Sequence, residues 1–198
     1  MILYKFGPNP KEVTEIVLKD SRFINILGNN EISLFDIDKN DTSSEVAHRA
    51  WTKTQISEYM DDIKKLPETN IVEINGLKLL MIHAQNGNAN EKPLIYENNM
   101  QSFENNYKDF ETNFVLFGHT HEKMLIEYHN KIYLNPGSLG CSFNKNVDFA
   151  ILELEDGEFE KCTFESLKYD KNLVINDYLK YEVPDREFIL KIFYGYSF

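Results

Sequence analysis

Long hydrophobic runs are absent from this 198-residue chain. No apolar stretch approaches the roughly 18–20 residues that span a bilayer. Met1-Ile2-Leu3-Tyr4-Lys5 has neither the basic start nor the long apolar stretch of a secretory signal. Cysteine is scarce. Cys141 and Cys162 are too few for a disulfide framework and lack the spacing of a metal-binding Cys pair. A reducing, cytoplasmic setting is the expectation. Positive charge is in deficit, with 21 Lys+Arg against 32 Asp+Glu and a formal net charge of −11. No Lys/Arg cluster supplies the positive footprint of a nucleic-acid groove, so binding that tracks a phosphate backbone is not expected. An acidic protein still takes a phosphate ester where bound cations reverse the local sign.

What is present is core-forming. Hydrophobic residues make up 42% and aromatics 13%, which excludes disorder and low complexity. No repeat, linker or boundary interrupts the chain, so residues 1–198 are expected to form a single α/β domain. Asn9-Pro10-Lys11-Glu12 predicts a helix start, with Asn as N-cap, Pro at the first helical position and Glu reaching back. Residues 23–27 read as a buried strand stopped by Gly28-Asn29-Asn30-Glu31, and residues 38–50 as a polar loop. A helix is expected from Thr52, with Thr52 and Gln55 as a capping box, an apolar stripe of Ile56, Met60, Ile63 and Leu66, and Pro67 as its stop. Asn75-Gly76 between two apolar runs predicts a hairpin, as do His129-Asn130 and Asp156-Gly157. A helix is expected around residues 96–107 and another around 174–179; the apolar tail at 189–198 fits a helix or a strand.

Three buried strands run into residues that can bind a metal. Leu27 leads to Gly28-Asn29, Ile82 to His83, and Phe117 to Gly118-His119-Thr120-His121. In open α/β sheets ligands collect outside the carboxyl ends of strands. Amide oxygen and imidazole nitrogen are both metal donors, and imidazole suits Zn, Mn, Fe or Ni. Gly118 is expected to let the backbone turn sharply before the two histidines. Each piece alone has a plain structural reading: a strand-end His is ordinarily a hydrogen-bonded core residue, and Gly-Asn-Asn a turn. Three such pieces at three strand ends favour a site. His48, in a polar stretch, and His129, at a hairpin tip, fall outside it.

These motifs resemble the later motifs of the calcineurin-like metallophosphoesterase superfamily, most closely its small bacterial and archaeal phosphodiesterase branch. The likeness extends to Tyr4–Val13, to Ala50-Trp51-Thr52, to Leu134-Asn135-Pro136-Gly137-Ser138 and to Lys168-Tyr169-Asp170. It implies a four-layer α/β/β/α sandwich and a metal-dependent phosphoesterase, a phosphodiesterase or phosphatase acting on a small phosphate ester. It implies that Asn29, His83 and His119 hold one metal, and that His121 holds a second. A metal-activated water then attacks phosphorus.

Two departures qualify the resemblance. The family's first two motifs, Asp-x-His and Gly-Asp, are absent, so the sandwich is expected to miss its first strand and helix, and the bridging carboxylate with them. The position of the family's acid is held by Asn30, which is the candidate catalytic residue, and Glu31 follows where the family has Asp. Two divalent metals (Mn, Ni, Zn or Fe) serve the family; the neutral set here is expected to hold at most one. Without two metals roughly 3.5–4 Å apart the clamp on phosphate is lost, and activity is expected to be impaired. Self-association into a homo-oligomer is one way to cover the exposed edge. The alternatives are a catalytically inactive binding or scaffold protein of the same fold, and a globular domain with structural histidines.

Overall fold

The computed structural model describes residues 7–38, 40–91, 99–142 and 145–196. Helix α1 spans Pro10–Lys19 and begins where Asn9-Pro10 places it. The Asn9 side chain makes no capping bond, however; the first turn is tied instead by Thr14 Oγ1, which donates to the Pro10 carbonyl at 2.6 Å. Val17 carries its buried face into a cluster with Leu27, Leu34, Ile56, Met60 and Ile63. Residues 23–27 form no strand ladder among the described residues, and Phe23 and Ile24 are exposed, so the buried strand expected there is not found. The Leu27 N–H donates to the Pro67 carbonyl at 2.8 Å, which brings this segment beside the end of the helical region that follows.

That region starts earlier than its apolar stripe suggests. After the single turn α2 (Asn29–Ile32), helix α3 runs Ser44–Gln55. Ser43 caps it, its Oγ accepting from the Val46 N–H at 3.3 Å. Residues 44–50 are thus helical, not loop. The inward positions of α3 are His48 and Thr52, so an apolar period could not reveal the helix. Thr52 is interior rather than a cap. A 3₁₀ turn (Ser57–Tyr59) and α4 (Met60–Ile63) complete the region, and Ile56, Met60 and Ile63 form the expected buried stripe.

Strands β1 (Thr69–Ile74), β2 (Leu77–Ile82), β3 (Phe114–Leu116), β4 (Lys123–Tyr128) and β5 (Lys131–Pro136) form a sheet in the order β1-β2-β3-β5-β4. The turns Asn75-Gly76 and His129-Asn130 have positive φ at both residues, the pattern whose twist matches that of the strands it joins. The pairs β2–β3 and β3–β5 are parallel. Their carboxyl ends therefore share one edge. A short helix, α5 (Met100–Asn105), covers a face of this sheet: Phe103 and Tyr107 cluster with Leu80, Ile82, Val115, Phe117 and Tyr133. The rest of the helix expected at 96–107 falls partly on residues 92–98, outside the described residues.

Strands β6 (Val147–Glu155) and β7 (Glu158–Leu167) pair as a separate two-stranded sheet across Asp156-Gly157. Helix α6 (Lys171–Lys180) is capped by Asp170, which accepts from the Asn172 N–H at 2.9 Å. Of the tail, α7 (Arg186–Ile189) and the wide turn Leu190–Tyr194 are helical rather than strand. They bury Ile189, Leu190, Phe193 and Tyr194 against Tyr178 and Cys141. The result is the α/β sandwich class expected, a central sheet flanked by helices. Among the described residues no helix is long and apolar enough to cross a membrane.

Candidate metal centre

The site forms at the shared carboxyl edge of β2, β3 and β5. The Gly118 N–H donates to the His83 carbonyl at 3.0 Å, and the Phe117 N–H to the Leu134 carbonyl at 2.9 Å. These bonds carry the parallel register past the strand ends and fix where His83 and the 118–121 loop emerge. In that loop both histidines are left-handed, His119 at φ 64° and His121 at φ 60°. The turn therefore falls on the histidines; Gly118 itself is not at positive φ. The buried Asn135 at the end of β5 braces this backbone. Its Nδ2 donates to the Gly118 carbonyl at 2.8 Å and to Thr120 Oγ1 at 2.9 Å, and its Oδ1 accepts from the Gly137 N–H at 3.0 Å.

Three donor atoms meet. His83 Nε2 lies 2.8 Å from Asn29 Oδ1 and 3.2 Å from His119 Nδ1. The His83 and His119 rings stand edge to face, centroids 5.2 Å apart at 84°. Around one ion with bonds of about 2.0–2.1 Å, neighbouring donors are separated by roughly 2.8–3.0 Å in octahedral and 3.3–3.4 Å in tetrahedral geometry. The observed spacings sit close to those ranges. The donor chemistry also fits: two imidazoles and an amide oxygen suit a borderline divalent ion. His83 is buried. Burial first, then neighbouring positive charge, pushes its ring down to about 3. It is neutral at ordinary pH, which a ligand must be. Among the described residues no group of three or more His, Cys, Asp or Glu side chains could hold a metal ion; the donors that meet here are two imidazoles and an amide oxygen.

Asn29 is placed by its own turn. Gly28 is the N-cap of α2, and its N–H donates to Glu31 Oε2 at 2.8 Å. A Cβ on Gly28 would stand 2.8 Å from that oxygen and 3.0 Å from His83 Nδ1. The close approach of Asn29 to His83 thus depends on glycine at 28. Asn30 is buried in the same turn, its carbonyl accepting from Ser33 Oγ at 2.7 Å. His121 lines the same cavity as His83 and His119, about 360 Å³ in volume, with walls that include Ile24, Leu116 and Phe149. Its Nδ1 lies 3.2 Å from the Cys141 carbonyl. His48 is buried in α3 near Trp51, and His129 meets Glu104 at 3.1 Å; both lie apart from the site, as expected.

Asn135, Glu31 and Asp148 are contributors whose roles the sequence reading did not assign. The signal for Asn135 was a polar residue closing an apolar strand. Nothing local marks Asp148, whose partners are distant in sequence.

Comparison with known proteins bears on the family and the fold. A profile of the calcineurin-like phosphoesterase superfamily domain matches residues 7–157. The chain belongs to that superfamily. Its fold is similar to that of a hypothetical protein from Pyrococcus horikoshii OT3, with TM-score 0.80 and 18% identity over 100% of this chain and 84% of that one. It is also similar to a metallophosphoesterase from Sphaerobacter thermophilus, with TM-score 0.72 and 18% identity over 96% of this chain and 83% of that one. A search of curated proteins found no match.

Proposed function

We propose that this chain is a metal-dependent phosphoesterase that hydrolyses a small phosphate ester, a diester or a monoester, in the cytoplasm. The observation that carries the reading is the meeting of Asn29 Oδ1, His83 Nε2 and His119 Nδ1 at one sheet edge. These three would hold one divalent ion (Mn, Ni, Zn or Fe), and His121 would face a second. When bound, such an ion lowers the pKa of water toward 7 and polarises the phosphoryl oxygens. The chain's own residues supply position. His83 stays neutral, Asn135 holds the 118–121 loop, and the cavity walls exclude bulk water from one side. Asn30 is the candidate for assisting the leaving group. As an amide it can donate a hydrogen bond but not a proton at neutral pH, so slow turnover is expected.

A second reading is a phosphoesterase-fold binding protein without turnover. The donors that meet, an amide and two imidazoles, favour it, because hard ions prefer carboxylates. Hydrolysis of bis-p-nitrophenyl phosphate with added Mn or Ni separates the two. Under the enzymatic reading, turnover needs the metal, stops with chelator and falls below a tenth in His119→Ala. Zn binding without turnover under any of the metals selects the binding protein, and a rate indifferent to His119→Ala removes metal catalysis.

A further inference from the structure

Asp148 lies outside the donor set, yet it grips both sides of one hydrogen bond at the site. It is buried. Its Oδ2 accepts from Ser142 Oγ at 2.8 Å. Its Oδ1 accepts from Ser166 Oγ at 2.6 Å and from Lys123 Nζ at 3.3 Å. Ser142 follows Cys141, whose carbonyl meets His121 Nδ1, while Lys123 stands two residues after His121. One carboxylate thus ties down the segment that provides the acceptor and the segment that provides the ring.

The loop between them has little freedom. The Asp148 N–H donates to the Ser138 carbonyl at 3.0 Å, and Ser138 Oγ accepts from the Cys141 N–H at 2.9 Å. The Cys141 side chain is packed among Tyr178, Tyr194 and Phe193. At Gly137, with φ 91°, a Cβ would stand 2.9 Å from Asp148 Cβ and 3.0 Å from Lys123 Cγ. The carbonyl of Cys141 is therefore delivered to a fixed point.

A carbonyl oxygen only accepts. The contact at His121 requires Nδ1 to carry the proton, and in the neutral ring Nε2 then carries the lone pair. We infer that Asp148 is a positioning residue for His121: by clamping Cys141 against the ring it selects the Nδ1–H tautomer and presents Nε2 as the donor atom. An ion needs that form, because the ligating nitrogen must carry a lone pair while the other is fixed by a hydrogen bond. The inference concerns the ring of the metal-free chain and holds whether or not the chain turns over a substrate.

The test is long-range ¹H–¹⁵N NMR of the ring nitrogens in the full, chelator-treated chain labelled at histidine, with the His121 signals assigned by His121→Gln. The wild type is expected to give His121 in the Nδ1–H form. Asp148→Ala should lose that signature, with the two ring nitrogens moving toward each other as both tautomers populate. Asp148→Asn, which keeps an oxygen acceptor for Ser166 and an amide that can bond Ser142, should restore it. Should Asp148→Ala fail to fold, Ser142→Ala removes one hydroxyl only and should shift the same two resonances. A wild-type ring in the Nε2–H form overturns the inference. So does an unchanged His121 signature in a folded Asp148→Ala or in Ser142→Ala.

Discussion

Acid should destabilise the metal-free chain through His83 in particular. The ring is buried, and burial holds its folded pKa near 3 against an ordinary 6.5. The folded state therefore refuses a proton that the unfolded chain accepts below pH 6.5. Wherever the unfolded state binds more protons, stability falls as pH falls. The contribution is complete above pH 6.5 and is lost progressively down to about 3. At pH 5 the unfolded ring is almost fully protonated and the folded ring almost fully neutral. The loss is then about 1.5 pK units at 1.36 kcal/mol each, or ~2 kcal/mol. That figure depends on the unfolded pKa and little on the folded one. The groups facing the ring are His119 and His121 from the 118–121 loop, and Asn29 and Glu31 from α2. The assay is urea unfolding at pH 7.5 and pH 5.0 with chelator, wild type against His83→Asn. With a urea slope of about 2 kcal/mol/M, the wild-type midpoint should drop by ~1 M more than the variant's. Background titrations largely cancel in the comparison. Equal drops in the two proteins would refute the buried, neutral His83.

Gly28→Ala should push Glu31 or His83 away from the close approach at 2.8–3.0 Å and lower Zn affinity by about 10–100-fold in calorimetric titration, the range for perturbing a ligand's support. Asn135→Ala removes three hydrogen bonds, which at ~1 kcal/mol each predicts roughly 3 kcal/mol lost in urea unfolding. Tyr133→Phe should have the opposite sign. Its hydroxyl is buried with no hydrogen-bond partner among the described residues, so removal should stabilise by ~1 kcal/mol. Burial also raises the Tyr133 pKa to about 12, so its neutral form is the folded one below pH 10. Stability is lost as the unfolded ring ionises above that, and the alkaline limb of the variant should be the flatter.

What the sequence disclosed was what local pattern can disclose. Apolar runs that stop at polar residues singled out Asn29, His83 and His119; the runs before His83 and His119 end in strands, the run before Asn29 does not. Asn-Gly, His-Asn and Asp-Gly between apolar runs marked three hairpins, each found. The pattern failed where pairing or burial is set at a distance. Residues 23–27 have strand composition, but a ladder needs a neighbour that composition does not specify. Helix α3 buries His48 and Thr52 where a stripe of Leu or Ile would have announced it. The clamp at Asp148 joins Lys123, Ser142 and Ser166, residues on three segments whose nearness only the fold creates.

The left-handed histidines were equally hidden, because non-glycine residues rarely adopt that conformation and no spacing announces it. Their persistence has a physical account. Each residue held there costs about 1–2 kcal/mol, so His119 and His121 together cost about 2–4 kcal/mol. Asn135 makes three hydrogen bonds to the same loop and its neighbour, worth ~0.5–1.5 kcal/mol each. The two sums are of the same size, and the strained loop is held by a residue that would otherwise be an unsatisfied amide in the core. The fold's own hydrogen bonds thus support the loop geometry. An ion arriving at His83 and His119 would spend little of its binding energy on ordering them.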